Sequence, residues 1–133
     1  MTRTRPNFAP TALAIAISLI SANLHAADLP PGGNIVGGSG SISQDGNSLN
    51  VQQNSDRLIT NWDSFDIGAG NTVNFYQPGS NSVALNRVIG EDASAIYGNL
   101  NANGKVFLVN PNGVLFGEGA AVNVGALVAS TLS

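Results

Sequence analysis

From about residue 27 onward, the apolar positions never keep a period of 3.6 residues for more than two turns. Short apolar or alternating runs recur roughly every ten residues, divided by Asn, Gly, Pro and Asp. The pattern predicts strands over Gly40–Gln44 and Ser48–Gln53, joined as an antiparallel pair by the Asp45-Gly46 hairpin signal. Further strands are expected at Arg57–Asn61, Thr72–Tyr76, Ser82–Val88, Ala95–Tyr97 and Ala120–Ser130, with one short strand around Ile35-Val36. Val83, Leu85 and Arg87 share one face of their strand, and Gly98–Gly104 is rich in Asn and Gly. A helical bundle is excluded, which leaves a sandwich, a barrel or a parallel β-solenoid. Short runs, Asn at the corners and small residues such as Ala84, Ala95 and Ala126 favour the solenoid. Coils of roughly 20 residues predict about five turns.

The most informative stretch is Lys105–Phe116, two apolar runs around Asn110-Pro111-Asn112-Gly113. Asn110 can bond its own backbone two residues on, and Pro111 presets φ and lacks an N–H. Asn112 tolerates the bridge or left-handed region, and Gly113 accepts positive φ. The stretch therefore reads as strand, sharp corner, strand. Val106 and Leu108 lie on one face, Phe107 and Val109 on the other, and both faces are apolar.

Residues 1–26 stand apart from this pattern. Arg3 and Arg5 precede an uncharged, mostly apolar run of about 15 residues, and Leu24-His25-Ala26-Ala27 forms a small-residue exit. A spanning helix needs roughly 20 residues, and Pro10 shortens the run further, so the segment reads as a signal peptide rather than an anchor. Cleavage is expected after Ala26, with Ala27 as the alternative.

The sole histidine, His25, leaves with the leader, and the chain has no cysteine. What remains has no imidazole base, no thiolate, no soft metal ligand and no disulfide framework. Residues 27–133 carry Arg57, Arg87 and Lys105 against eight acidic side chains, a formal charge of −5. Such a charge-poor, weakly acidic surface argues against nucleic acid and anionic lipid as partners. Asp63 with Asp66 could form an acid–base carboxylate pair, but turn-forming aspartates explain the same spacing. Gly113–Gly119 lacks the Gly-Lys-Ser/Thr of a phosphate loop, and Asp45-Gly46-Asn47 lacks the other ligands of a calcium loop. No catalytic residue, cofactor or metal site is expected.

Several separated motifs agree in order with one family. They are Trp62-Asp63-Ser64-Phe65-Asp66-Ile67, Val73-Asn74-Phe75 and Ser82–Val88 with Asn86-Arg87. Ile96-Tyr97-Gly98, Gly104–Val109, the tetrad and Gly119–Thr131 follow. From about Gly37 to the last residue the chain resembles the N-terminal secretion domain of the filamentous haemagglutinin family, the exported partner of two-partner secretion systems. The resemblance implies a right-handed parallel β-helix with N-terminal capping strands and small extra-helical hairpins. It implies a signal peptide over 1–26, read by the Sec machinery, and a secretion domain over 27–133. It implies recognition in the periplasm by the soluble POTRA domains of an outer-membrane β-barrel, followed by folding at the cell surface.

By the same resemblance, Asn110, Pro111, Asn112 and Gly113 are the transporter-recognition motif, with Val114 where the family often has Ile. Trp62, Phe65, Phe75, Asn86 and Arg87 form its structural motif. The family's earlier Asn-Pro-Asn-Leu motif is missing, which points to the adhesin-type branch. Host-cell surface or glycan contacts would then belong to a downstream region. The apolar, β-prone end of the chain predicts the front of a longer protein. Three alternatives remain open: a stand-alone carbohydrate- or host-binding solenoid, the export domain of a haemolysin or contact-dependent toxin, and a polysaccharide-cleaving β-helix enzyme.

Overall fold

The computed structural model describes residues 28–132, so the leader and the Ala26 cleavage point lie outside the described residues. All regular structure among the described residues is β. After β1 (Asn34–Gly37) and β2 (Gly40–Asp45), the chain winds in parallel coils. The first coil holds β3 (Ser48–Gln53) and β4 (Arg57–Trp62). The second holds β5 (Thr72–Tyr76), β6 (Val83–Val88) and β7 (Ser94–Ile96). The third holds β8 (Asn99–Ala102), β9 (Lys105–Val109) and β10 (Val114–Phe116). The fourth holds β11 (Ala121–Asn123) and β12 (Ala126–Ser130). Like faces stack into ladders: β4-β6-β9-β12, β3-β5-β8-β11, and the shorter β7-β10 pair, all parallel. The architecture is a parallel β-helix.

The expected five turns are four. Equivalent side chains recur after 24 and 27 residues along one ladder and 26 along another. Corners of uneven length lengthen the coils beyond the 20 residues assumed from the apolar runs. The Asn- and Gly-rich Gly98–Gly104 segment holds a strand that its composition does not announce. It contains β8, whose Leu100 enters the core while Asn99 and Asn101 face outward.

The N-terminal end is closed by antiparallel pairing. β1 pairs with β4, and β2 pairs with β3 through a hairpin whose Gly46 takes φ 60°. That conformation suits glycine, as the Asp-Gly signal requires. These strands cover edges that would otherwise offer unpaired N–H and C=O groups. At the other end, interior-aligned Phe116 and Val122 remain 38% and 37% exposed. They stack on the buried Ile96 and Leu100 of the preceding coil, with no described coil over them.

Alternation decides the interior. Leu49, Val51, Leu58, Val73, Phe75, Ala84, Leu100, Val106 and Leu108 point inward, with Trp62, Phe65, Ile67, Val88 and Ile96 filling the corners. Trp62 and Phe65 meet edge to face at 5.5 Å. Several polar side chains inside the stack are partnered. The Trp62 indole N–H donates to Asn86 Oδ1 at 2.9 Å, and Asn86 Nδ2 donates to the Phe107 carbonyl at 3.2 Å. Gln77 Nε2 donates to Gln53 Oε1 at 3.2 Å, while Gln77 Oε1 accepts the Gly104 N–H at 2.7 Å. Such pairing removes the penalty for burying amides. Outside the β3-β5-β8 ladder, Asn50, Asn74 and Asn101 form a chain of amide bonds, each 3.0 Å.

Candidate functional site

The corner 110–113 follows β9, whose inward Val106 and Leu108 anchor it to the core. The Gly113 N–H donates to the Asn110 carbonyl at 3.0 Å, closing a turn, and Gly113 adopts φ 117°. The Asn110 side chain does what the sequence suggests, because its Oδ1 accepts the Asn112 backbone N–H at 3.0 Å. It also accepts Asn112 Nδ2 at 3.1 Å. Its Nδ2 donates to the Asp92 carbonyl and to Ser94 Oγ, each at 3.0 Å. Asn110 is 0% exposed. It is thus a clamp that ties the corner to the coil beneath. Further ties come from the Gly113 carbonyl, which accepts the Ser94 N–H, and from the Asn110 N–H, which donates to the Ser130 carbonyl.

The outer half of the tetrad differs. Pro111 and Asn112 are exposed, and Asn112 Nδ2 donates to the Gly90 carbonyl at 2.9 Å. Pro111 forms one wall of a cleft of about 270 Å³, shared with Asn61, Arg87, Val88, Ile89 and Val109. Ile89 is 65% exposed there. Pro111, Asn112 and the cleft beside them form the outer surface of the corner, while Asn110 holds the geometry from within.

The remaining motif residues separate in the same way. Trp62, Phe65, Phe75 and Asn86 are core. Arg87 is exposed, and its Nε donates to Asn61 Oδ1 at 3.1 Å. It belongs to the outer face and the cleft, not to the packing unit formed by the other four. Asp66 Oδ1 accepts the Ala95 N–H at 2.7 Å, so this carboxylate serves as a backbone tie between coils. Sequence reasoning did not find Ser94, Asp92 and Gly90 as the tetrad's partners. Their separation from it in sequence, 16 to 22 residues, is crossed only by coil stacking.

Residues 27–133 match the family model described as the TPS secretion domain. The chain is 49% identical over 106 residues to a heme/hemopexin-binding protein of Haemophilus influenzae, covering 80% of this chain and 12% of that protein. A second Haemophilus influenzae heme/hemopexin-binding protein is 52% identical over 83 residues, 62% of this chain and 9% of that one. The HMW1 secretion domain from Haemophilus influenzae has a similar solved structure, with a TM-score of 0.73 at 38% identity. That likeness covers 77% of this chain and 27% of the HMW1 chain. The chain therefore spans no more than 12% of the length of these curated relatives.

Proposed function

The chain belongs to the TPS secretion domain family, and from that premise we propose that it is the export address of a long surface or secreted adhesin. Residues 1–26 direct the chain through the Sec machinery and are removed after Ala26. In the periplasm the POTRA domains of an outer-membrane β-barrel bind the secretion domain, with Pro111 and Asn112 at the contact. The chain then threads outward and folds coil upon coil from its capped N-terminal end. The role is one of binding and folding, and we assign the domain no enzymatic activity.

The observation that carries this reading is the coil stack itself, matched by the family model across its whole length and covered at its N-terminal end. Each completed coil offers the next a parallel edge and an apolar floor, so folding adds short-range rungs rather than distant strands. Phe116 of the third coil and Val122 of the fourth form that floor. The test is export of the full chain from cells with and without the partner barrel. With the barrel, the expected product is extracellular and begins at Ala27. Without it, the product stays in the periplasm. Unchanged export without the barrel refutes the reading.

The relatives' names concern heme and hemopexin; residues 27–133 hold no histidine, methionine or cysteine, which leaves Tyr76 and Tyr97 as their only side chains of the usual axial heme-ligand types.

A further inference from the structure

The outer face of the β3-β5-β8-β11 ladder is polar, yet none of its four strands holds an Asp, Glu, Lys or Arg. A cleft of about 340 Å³ opens on this face, lined by the amides of Asn74, Gln77, Asn101, Asn103 and Asn123 and by Tyr76. That volume lies within the roughly 300–1,000 Å³ of small-ligand pockets. Its walls are fixed before any ligand arrives. The Gln77 N–H donates to Asn103 Oδ1 at 2.8 Å, and Asn103 Nδ2 donates to the Gln77 carbonyl at 2.7 Å. Asn101 Nδ2 donates to Asn74 Oδ1, so the amide chain from Asn101 through Asn74 to Asn50 begins on an unfilled acceptor, Asn101 Oδ1. Asn123 stands in register with Asn101 one rung further on and is exposed. Among the described residues, Asn101 Oδ1, the Asn123 amide and the Tyr76 hydroxyl have no side-chain partner. Tyr76 is 50% exposed, an apolar ring beside a row of amides.

We propose that this cleft binds a neutral saccharide carrying an acetamido group, an N-acetylhexosamine unit of a cell-surface glycan. The apolar C–H face of the sugar lies on the Tyr76 ring. The acetamido N–H donates to Asn101 Oδ1 and lengthens the amide chain by one member. Sugar hydroxyls, which both donate and accept, meet the Asn123 amide, which does the same. Charge selects this class: a lining without cations, in a chain of net negative charge, offers nothing to a phosphate, a sulfate or an acidic sugar. A peptide strand has no place here either, because β5 and β8 are paired on both sides and their backbone groups are spent. Peptidoglycan shares the acetamido chemistry, but its peptide stems are anionic and find no cation in the cleft. The cleft also takes residues from three successive coils, so it exists only once they are stacked, after export. The site therefore adds a glycan contact to the export domain itself and stands whichever partner exports the chain.

The test is isothermal titration calorimetry of the exported full chain with two sugars. Chitotriose is a trimer of N-acetylglucosamine, and cellotriose is the glucose trimer that lacks the acetamido groups. Chitotriose is expected to bind at least about fivefold more tightly. Tyr76→Ala is expected to weaken chitotriose binding at least about tenfold, and Asn123→Ala at least about threefold. Both side chains are exposed, so the melting transitions are expected to stay unchanged. Tyr76→Phe keeps the ring and is expected to remain within about threefold of the parent. Val128→Ala, exposed on the other large sheet, is expected to leave binding unchanged. The proposal is overturned if chitotriose does not bind, or if the two trimers bind equally. Binding indifferent to both Tyr76→Ala and Asn123→Ala would place the sugar elsewhere on the chain and overturn it too. Tighter binding of peptidoglycan fragments than of chitotriose would overturn the cell-surface source. A concentration-dependent dimer lost in Tyr76→Ala would make the face a contact between copies of the chain and sink the saccharide site.

Discussion

Replacing Asn110 with alanine separates the two jobs of the turn. The substitution removes an amide that makes four hydrogen bonds from a fully buried position. Asp92 and Asn112 are exposed, so water can take over their share. Ser94 is 0% exposed and is left without its side-chain partner. A stranded buried hydroxyl costs about 1–3 kcal/mol, and losing the bond that shapes the turn adds about 0.5–1.5 kcal/mol. The expected destabilisation of Asn110→Ala is therefore about 2–4 kcal/mol, a large part of the 5–15 kcal/mol typical of a whole domain. Pro111→Ala removes no hydrogen bond and acts mainly through greater freedom of the unfolded chain, about 0.4–1 kcal/mol.

Urea unfolding followed by fluorescence of Trp62, the single tryptophan and fully buried, reads both variants against the parent. Export of both is scored in parallel. The reasoning predicts that Asn110→Ala loses stability and export together, whereas Pro111→Ala loses export with its midpoint nearly unchanged. An Asn110→Ala midpoint within error of the parent would refute the clamp. A Pro111→Ala chain exported at the normal rate would remove the recognition role from the exposed half of the corner.

Three further outcomes follow from the packing. Asn86→Ala strands the buried Trp62 indole N–H and is expected to cost about 2–4 kcal/mol, measured by the same unfolding curve; Trp62→Phe in the Asn86→Ala background should then cost less than it does alone, and strict additivity would deny the coupling. Asn74→Ala breaks the amide chain in the middle, severing the bonds to Asn50 and Asn101. A loss of about 1–2 kcal/mol is expected in thermal melts, and no loss would show the ladder to be ornamental to stability. Gly104→Ala places a Cβ 2.8–2.9 Å from the Ser82 and Gly79 carbonyls and the Gln77 amide, whereas Gly119→Ala meets nothing within 4 Å and carries only the strain of φ 91°. The first is expected to reduce folded yield sharply and the second to lower the unfolding free energy by about 1–3 kcal/mol, with equal effects ruling out the clash.

The strands and corners of this protein are largely local matters, which is why they can be read from its residues. Alternation placed β2, β3, β5, β6 and β9, Asp45-Gly46 placed the hairpin, and Asn110-Pro111-Asn112-Gly113 placed the sharp corner. The ordered set of motifs also pointed to the family. What alternation cannot decide is which side of a strand faces in when both are apolar. β9 offers Val106 and Leu108 on one side and Phe107 and Val109 on the other. Stacking beneath β6 alone sends the first pair into the core and the second outward. The same stacking made a strand of the Asn-rich 99–102 segment, because Leu100 and the Asn74–Asn101 bond gain their partners only from the coil before. It also buried the Asn110 side chain as a clamp between coils and gathered three distant cations onto one face. Those features depend on side chains 16 to 28 residues apart meeting across a rung, and the number of residues per coil is set by corners whose lengths vary without an apolar period to report them.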